Sequence, residues 1–331
     1  MRPKVAVIYN DPSPGRYGTI GEAKAVLGVL DEVEAVDRAL KESRCPTVLV
    51  HLEPPLKRIR DILFSLDVDL VFNLFEGFEV SPNTEVEVAR VLEDTRLPFT
   101  GCPSAALSLA LDKVKAKMIL RSAGINTPGC QVLTPETLTA FKLTYPCIIK
   151  PCGEDASHGI TEDSLVYDYA SLDRQVGRVS QFFGGRALVE EFVAGREFNA
   201  TVLGNKEPMV LPISEIIYTL PPGMPKILTF AAKWEPDSLY YDCTNPVCPA
   251  DIEGDLQQKM VDIAKAAFRL LGCSGYARVD FRLDDKGQPV VLEVNPNPDV
   301  SPSAGSARQA QAAGMPYAQF IQKIALLGLG R

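Results

Sequence analysis

Apolar and polar positions alternate in blocks along the first hundred residues. Val5 to Tyr9, Thr47 to Leu52 and Asp69 to Phe75 are short apolar runs with strand character. Between them Val33, Val36 and Leu40 recur at helical spacing within Asp31 to Ser43, and further helical stretches fall at Ile59 to Leu66 and Asn83 to Glu93. This strand–helix repetition predicts a parallel sheet with helices on its faces. Asp11 to Leu30, rich in glycine and proline, reads as a long loop after the first strand. Ligands bind beyond the carboxyl ends of parallel strands, so Asn10 to Gly21 and Asn73 to Ser81 are candidate substrate loops. Farther on, a helix is expected over 104–123, stopped by Gly124 as a C-cap. Strands are expected at Cys147 to Pro151, Ala187 to Val193, Phe198 to Leu203 and Met209 to Ile217. An amphipathic helix from Asp255 to Leu271, stopped by Gly272, precedes a hairpin, and a helix near Tyr317 to Leu327 closes the chain.

The hairpin carries the strongest chemical signal. Its strands, Gly275-Tyr-Ala-Arg278-Val-Asp280-Phe-Arg-Leu and Pro-Val-Val-Leu-Glu293-Val-Asn295-Pro, flank a turn at Asp284-Asp285-Lys286-Gly287. Side chains alternate along a strand, so Ala277, Val279, Phe281 and Leu283 share one face, with Arg278 and Asp280 on the other. In the second strand Val290, Leu292 and Val294 are expected on one face, with Val291, Glu293 and Asn295 opposite. A loop with an even number of residues would bring the two polar sets together. Asp280, Glu293 and Asn295 would then offer hard oxygen ligands suited to Mg²⁺, beside the cation Arg278. A register slip of one residue would scatter them. A merely solvated acidic hairpin is the alternative, weakened because Glu293 sits within an apolar run, where a charge needs a partner or a metal.

Composition narrows the class. The chain has 331 residues and a formal charge of −8, with no basic block of the kind that binds nucleic acid. Two or three domains are expected at this length. No apolar run reaches membrane-spanning length, and the N-terminus enters a strand without a signal-peptide pattern. The eight cysteines contain no Cys-x-x-Cys pair, which fits a reducing cytoplasm. Neither a Gly-x-Gly-x-x-Gly fingerprint nor a phosphate loop ending in Gly-Lys-Ser/Thr is present.

Other segments are weaker alone. Ile148-Ile-Lys150-Pro151 puts a lysine at a strand end, before the small-residue loop Cys152-Gly-Glu154-Asp-Ala-Ser157-His-Gly159. Backbone N–H groups of such a loop can cradle phosphate, though an ordinary surface loop fits as well. Lys113 on a helix, and Glu190, Glu191 and Glu197 in or beside apolar strands, have equally plain readings as solvated side chains.

The order of these pieces is more specific than any one of them. Leu-Asp-Lys113, Ile-Ile-Lys150-Pro, Val-Glu190-Glu191-Phe-Val193-x-Gly-x-Glu197-Phe, Gly-Tyr-Ala-Arg278-Val-Asp280 and Leu-Glu293-Val-Asn295-Pro-Asn-Pro occur in the sequence of the ATP-grasp superfamily. Within it the chain resembles the D-alanine–D-alanine ligase branch, from about Leu66 to Leu327. The resemblance implies an α/β chain, α+β in its C-terminal part: a Rossmann-like parallel-sheet domain over 1–101 and ATP-grasp subdomains over 102–186 and 187–331. It implies ATP with two Mg²⁺ ions (Mn²⁺ as an alternative) held by Asp280, Glu293 and Asn295. Lys113 and Lys150 would meet the phosphates, with Glu154 in the loop that closes over them. Glu197 would take the ribose. Glu190 and the backbone from Glu191 to Val193 would meet adenine. Ser157 and Lys233, in Phe-Ala-Ala-Lys233-Trp234, would approach the γ-phosphate, and Arg278 would stabilise the oxyanion formed when an amine attacks an acyl phosphate. The implied partners are small molecules, a carboxylate donor and an amine acceptor, and the implied assembly is a homodimer.

The departures lie where substrate would bind. Asp299 stands where the family usually has glycine, and the expected serine aligns near Ala304, leaving Ser301 and Ser303 as substitutes. The N-terminal Glu-Arg-Glu-Val-Ser motif is absent, and Trp234 stands where tyrosine is usual. A carboxylate–amine ligase with an altered pocket is therefore expected. A genuine D-alanine–D-alanine ligase, an ATP-binding regulatory protein and an ATP-dependent carboxylase are the alternatives.

Overall fold

The computed structural model describes residues 2–10, 20–78, 83–152 and 157–330, with side chains from 28 onward in the first helix. Three sheets organise the chain. The first is built from β1 (Val5–Asn10), α1 (Ile20–Glu42), β2 (Thr47–Leu52), α2 (Leu56–Phe64), β3 (Leu70–Leu74) and α3 (Asn83–Thr95). Its strands run parallel in the order β2-β1-β3. Central β1 is apolar on both faces because both are covered. Val5 and Val7 pack with Val33, Val36 and Leu40 of α1 and with Phe320 and Ile324 near the C-terminus. Ile8 packs on the other face with Ile59, Leu63 and Leu92.

The start of α1 corrects the sequence reading, which left Asp11 to Leu30 as loop. Gly21 and Gly28 obscured a run of good helix formers, Glu22 to Leu27, and an interior glycine costs a helix only about 1 kcal/mol. Residues 11–19, which hold most of the first candidate substrate loop, and 79–82, which hold the end of the second, lie outside the described residues.

The second sheet follows α4 (Ser104–Leu111) and α5 (Lys113–Ser122). It comprises β4 (Cys130–Leu133), β5 (Cys147–Pro151), β6 (Leu165–Val166) and, after α6 (Tyr169–Phe182), β7 (Ala187–Glu191). Its order is β4-β7-β5-β6, so β7, expected to open the third region, belongs to the second sheet. The single helix expected over 104–123 is broken at Asp112. There the backbone leaves helical geometry (φ −86°, ψ 79°), and the side chain caps α5 by accepting from the Lys115 N–H. The break puts Lys113 at the first position of a new helix rather than on the flank of a long one.

The third sheet, order β11-β10-β8-β12-β13 with β9 on β8, contains β8 (Glu197–Gly204), β9 (Met209–Val210), β10 (Ser214–Tyr218), β11 (Thr244–Val247), β12 (Gly275–Leu283) and β13 (Pro289–Pro296). The helices α7 (Phe230–Trp234), α8 (Leu239–Asp242), α9 (Gly254–Leu270), α10 (Gly305–Ala312) and α11 (Tyr317–Leu329) complete the chain. The strand expected from Met209 to Ile217 is split into β9 and β10 around Pro212, which has no N–H to give a ladder. One face of the sheet (Phe198, Ala200, Val279, Phe281, Val291, Val294) packs on Met260, Ala264 and Phe268 of α9. The other face carries Glu197, Asn199, Arg278, Asp280 and Arg282, and at one end Leu203 and Tyr276, which pack with the first sheet's core.

The hairpin keeps its chemistry by a route the alternation did not foresee. Leu283 pairs with Pro289, so the loop is an odd five residues, 284–288. A bulge between Asp280 and Phe281 restores the parity: Phe281 faces Val291, Asp280 faces Glu293, and Leu292 is the extra residue. Val291 therefore joins Val294 in the core rather than sharing the polar face of Glu293. A bulge of this kind leaves one residue outside the ladder.

Candidate active site

Asp280 and Glu293 stand directly opposite each other on β12 and β13, as do Arg278 and Asn295. The Asn295 side-chain amide donates to Asp280 at 2.9 Å and to Glu293 at 3.4 Å, which turns its own oxygen away from both carboxylates. Arg278 grips Asp280 through Nε and Nη2, at 2.7 and 2.8 Å; Nη1 takes no part in that fork. Burial pushes the Asp280 carboxyl above its usual range; Arg278 pulls it down, and Glu293 adds to the rise. Burial would also raise Glu293, yet Lys113, Lys150, Arg278 and Lys233 outweigh it and hold that group well below the carboxylate range. The carboxylate oxygens of Asp280 and Glu293, with the Asn295 side chain beside them, are hard donors of the kind that suits Mg²⁺.

Cations surround this cluster. Lys113 Nζ lies 3.7 Å from Glu293. Lys150, at the end of β5, lies 2.8 Å from one oxygen of Glu190, and Lys117 lies 2.8 Å from the other. Lys233 comes in on α7; burial first, then Arg278, lowers its pKa, while Glu293, Asp280 and Glu197 act in the opposite sense. The segments around 113, 150, 233, 278, 280, 293 and 295 are thus brought to one place.

Glu190, which the resemblance has meeting adenine, is held between two lysines. It is 2% exposed, and both of its oxygens are engaged by ammonium groups. Burial alone would raise its pKa, but Lys117 and Lys150 hold it at about 2. The sign of the pH dependence follows. A depressed carboxyl contributes stability above its ordinary pKa, and that contribution fades as pH falls through the folded value. The stability difference between the protein and Glu190→Gln, from urea unfolding, is therefore expected to be constant above the usual 4.5 and to shrink between there and about 2. A difference that varied across neutral pH would contradict this assignment.

Glu191 turns its side chain over Gly129, and its Oε1 accepts from the Thr144 N–H at 3.1 Å. The Val193 carbonyl accepts from Arg282 at 2.9 Å. Arg282 also donates twice to Glu197 Oε2, at 3.0 and 2.5 Å, and the Tyr218 hydroxyl donates to the same oxygen at 2.8 Å. None of these bonds reaches Glu197 Oε1. Ser157 adopts a left-handed backbone (φ 65°); Glu154 lies outside the described residues. In the loop after β13, Asp299 folds back to accept from the Ser301 N–H (2.7 Å) and hydroxyl (3.1 Å), and Ser301 lies 3.4 Å from Ser303. Asp299 also acts electrostatically on Arg278 and on Glu32 of α1. The buried Glu32 accepts from the Val300 N–H at 2.7 Å.

Sequence reasoning missed Lys117, Arg282, Tyr218 and Glu32. Two were within reach. Lys117 is four residues after Lys113 and so on the same helix face. Arg282 continues the alternation of Arg278 and Asp280. Glu32 and Tyr218 carried no local signal.

The second and third sheets thus bring together Lys113, Lys150 and Lys233, the Asp280–Glu293–Asn295 group and Arg278, the arrangement expected of an ATP-grasp enzyme. Residues 119–326 match the family described as the D-ala D-ala ligase C-terminus. The chain is 30% identical to a D-alanine--D-alanine ligase of Carboxydothermus hydrogenoformans over 89% of its own length and 92% of that protein. It is 32% identical to a putative D-alanine--D-lactate ligase of Streptomyces coelicolor, over 72% and 67% of the two chains. The fold matches the VanG D-Ala:D-Ser ligase of Enterococcus faecalis with a TM-score of 0.76 at 22% identity, covering 99% of this chain and all of that one. The chain belongs to the D-alanine–D-alanine ligase-like branch of the ATP-grasp superfamily, and is an ATP-dependent, ADP-forming ligase. Enzymes of this family use ATP with Mg²⁺ and act on small molecules.

Proposed function

We propose that this ligase joins an amino acid or similar small acid to an amine, through an acceptor pocket unlike one built for D-alanine. The carrying observation is the convergence of Lys113, Lys150, Lys233 and Arg278 on Glu293 and Asp280. A carboxylate is a poor target for an amine. Transfer of the γ-phosphoryl group to a carboxylate oxygen, with departure of ADP, makes an acyl phosphate. The acceptor nitrogen then attacks the acyl carbon, phosphate leaves, and the nitrogen gives up a proton. Lys113, Lys150 and Lys233 offset the charge of the phosphates, and Arg278, oriented by Asp280, presents Nη1 to the developing oxyanion. Asp280, Glu293 and Asn295 would hold Mg²⁺, as one ion or two, with Mn²⁺ as a substitute, and the metal would supply further positive charge for the phosphates. Glu197 is left with Oε1 for a ribose hydroxyl, while the Glu191–Val193 backbone borders the adenine. Ser157 and its loop, with Glu154, exclude water that would hydrolyse the acyl phosphate.

The acceptor is the point of divergence. Asp299 beside Arg278 disfavours an acceptor carboxylate and favours a second amine, with Ser301 and Ser303 as neighbouring hydroxyls. The relatives, named for D-alanine and D-lactate acceptors, support the alternative of a D-alanyl ligase. The resemblance extends the proposal to a homodimer in the cytoplasm, where free cysteines stay reduced; sedimentation tests the dimer. Among the described residues no helix is long and apolar enough to cross a membrane.

The test is ADP formation with Mg²⁺ against D- and L-amino acids paired with simple amines, with products read by mass spectrometry. An amide to an amine lacking an α-carboxylate is the expected result. D-alanyl-D-alanine as the main product would overturn the altered-pocket reading.

A further inference from the structure

Lys117 is 3% exposed and shares the Glu190 carboxylate with Lys150. Its ammonium has three protons to place, and three acceptors receive them: Glu190 at 2.8 Å, the Leu292 carbonyl at 2.5 Å and the Thr127 hydroxyl at 3.2 Å. These acceptors come from different parts of the fold. Glu190 is on β7 of the second sheet, and its other oxygen holds Lys150. Leu292 is the residue that the bulge of β13 leaves outside the ladder, immediately before Glu293. One buried cation therefore ties the strand that aligns a phosphate lysine to the strand that carries a metal ligand. Burying an ammonium is costly unless it is fully bonded, and an apolar side chain would fill this space without that cost. The retained charge calls for a role.

We propose that Lys117 is a positioning residue: by clamping Glu190 and the bulged Leu292 carbonyl, it fixes the spacing between the nucleotide side and the metal side of the cleft. The inference rests on the ligase reading above. Lys117 touches neither ATP nor metal in this role; it acts through Lys150 by way of Glu190 and through Glu293 by way of Leu292. A clamp on both strands shifts two apparently separate quantities together, whereas a local packing role shifts neither selectively.

The experiment compares the full-length protein with Lys117→Met, Lys117→Arg and Thr127→Val. It measures KM for ATP, the Mg²⁺ concentration for half-maximal rate, KM for the acceptor, and direct binding of a fluorescent ATP analogue. Lys117→Met is expected to raise both the ATP KM and the Mg²⁺ requirement by about 10- to 100-fold, the range of a charge-assisted hydrogen bond. The acceptor KM is expected to move by less than about threefold. Lys117→Arg, which keeps the charge, recovers part of both losses. Thr127→Val, which leaves the ammonium two acceptors, shifts both in the same direction by a smaller factor and gives the answer if the methionine variant does not fold. A rise in the ATP KM alone, or equal losses in every constant with no recovery by arginine, overturns the clamp. Parent protein that fails to bind the analogue overturns the ligase reading itself, whereas tight binding by both parent and Lys117→Met overturns only the inference.

Discussion

Arg278→Met is expected to lower kcat by about 100- to 1,000-fold, the effect of losing one oxyanion donor or about 3 kcal/mol of barrier. ATP binding should survive, because Lys113, Lys150 and Lys233, the lysines proposed to meet the phosphates, are untouched. The structure adds a second consequence. Arg278 is the principal positive partner of Asp280, and without it burial and Glu293 push that carboxyl still higher. The Mg²⁺ requirement should therefore rise as well, most steeply on the acid side of neutrality. Arg278→Lys separates the two effects. A lysine keeps a charge near Asp280 but cannot form the fork that orients a guanidinium, so the Mg²⁺ requirement recovers more than kcat does. Single-turnover measurements of ADP and amide provide the readout. Amide formation should fall further than ADP formation, because acyl phosphate that is made but not aminated hydrolyses. A kcat within about tenfold of the parent would remove Arg278 from the chemistry.

The parallel sheet and the polar face of the hairpin were legible because period-two and helical spacing survive in the sequence. Both follow from which side of an element is buried. The hairpin also shows where that reading stops. Alternation placed Glu293 correctly but Val291 on the wrong face, because a bulge adds a residue without any mark in composition. Asp112 is a similar case: a capping residue inside an apparently continuous helical run reset the direction of Lys113. The start of α1 failed for the opposite reason, since glycine and proline nearby were weighted above a run of helix formers. Glu190 shows a deeper limit. Its position on an apolar strand was evident, but its partner Lys117 lies 73 positions earlier, and only the packing of α5 against two sheets brings them together. Charge clusters assembled over such distances have no sequence period to betray them.

The same reasoning gives the largest expected change in stability. Arg282 and Glu197 have side chains only 4% and 10% exposed. Besides Glu197, the guanidinium donates to the Val193 carbonyl at 2.9 Å and the Lys226 carbonyl at 2.5 Å, and it lies 4.8 Å over the Phe192 ring. It thus joins β12, β8, the segment after β7 and the approach to α7 in one contact set. Burial alone would make Arg282 easier to deprotonate; Glu197 and Tyr218 reverse this. Arg282→Met leaves the Glu197 carboxylate and two carbonyls without their common partner, with only the Tyr218 hydroxyl still donating to Glu197. Breaking one side of a buried pair costs about 3–5 kcal/mol, so urea unfolding should show a loss of that size. Arg282→Met combined with Glu197→Gln should lose less than the single substitution, because no unpaired charge then stays buried. The single variant should also weaken ATP binding, since three donors to Oε2 hold the carboxylate in place. A loss below about 1 kcal/mol would mean that water screens the pair as it does at a surface, and Glu197 would then be oriented by Tyr218 alone.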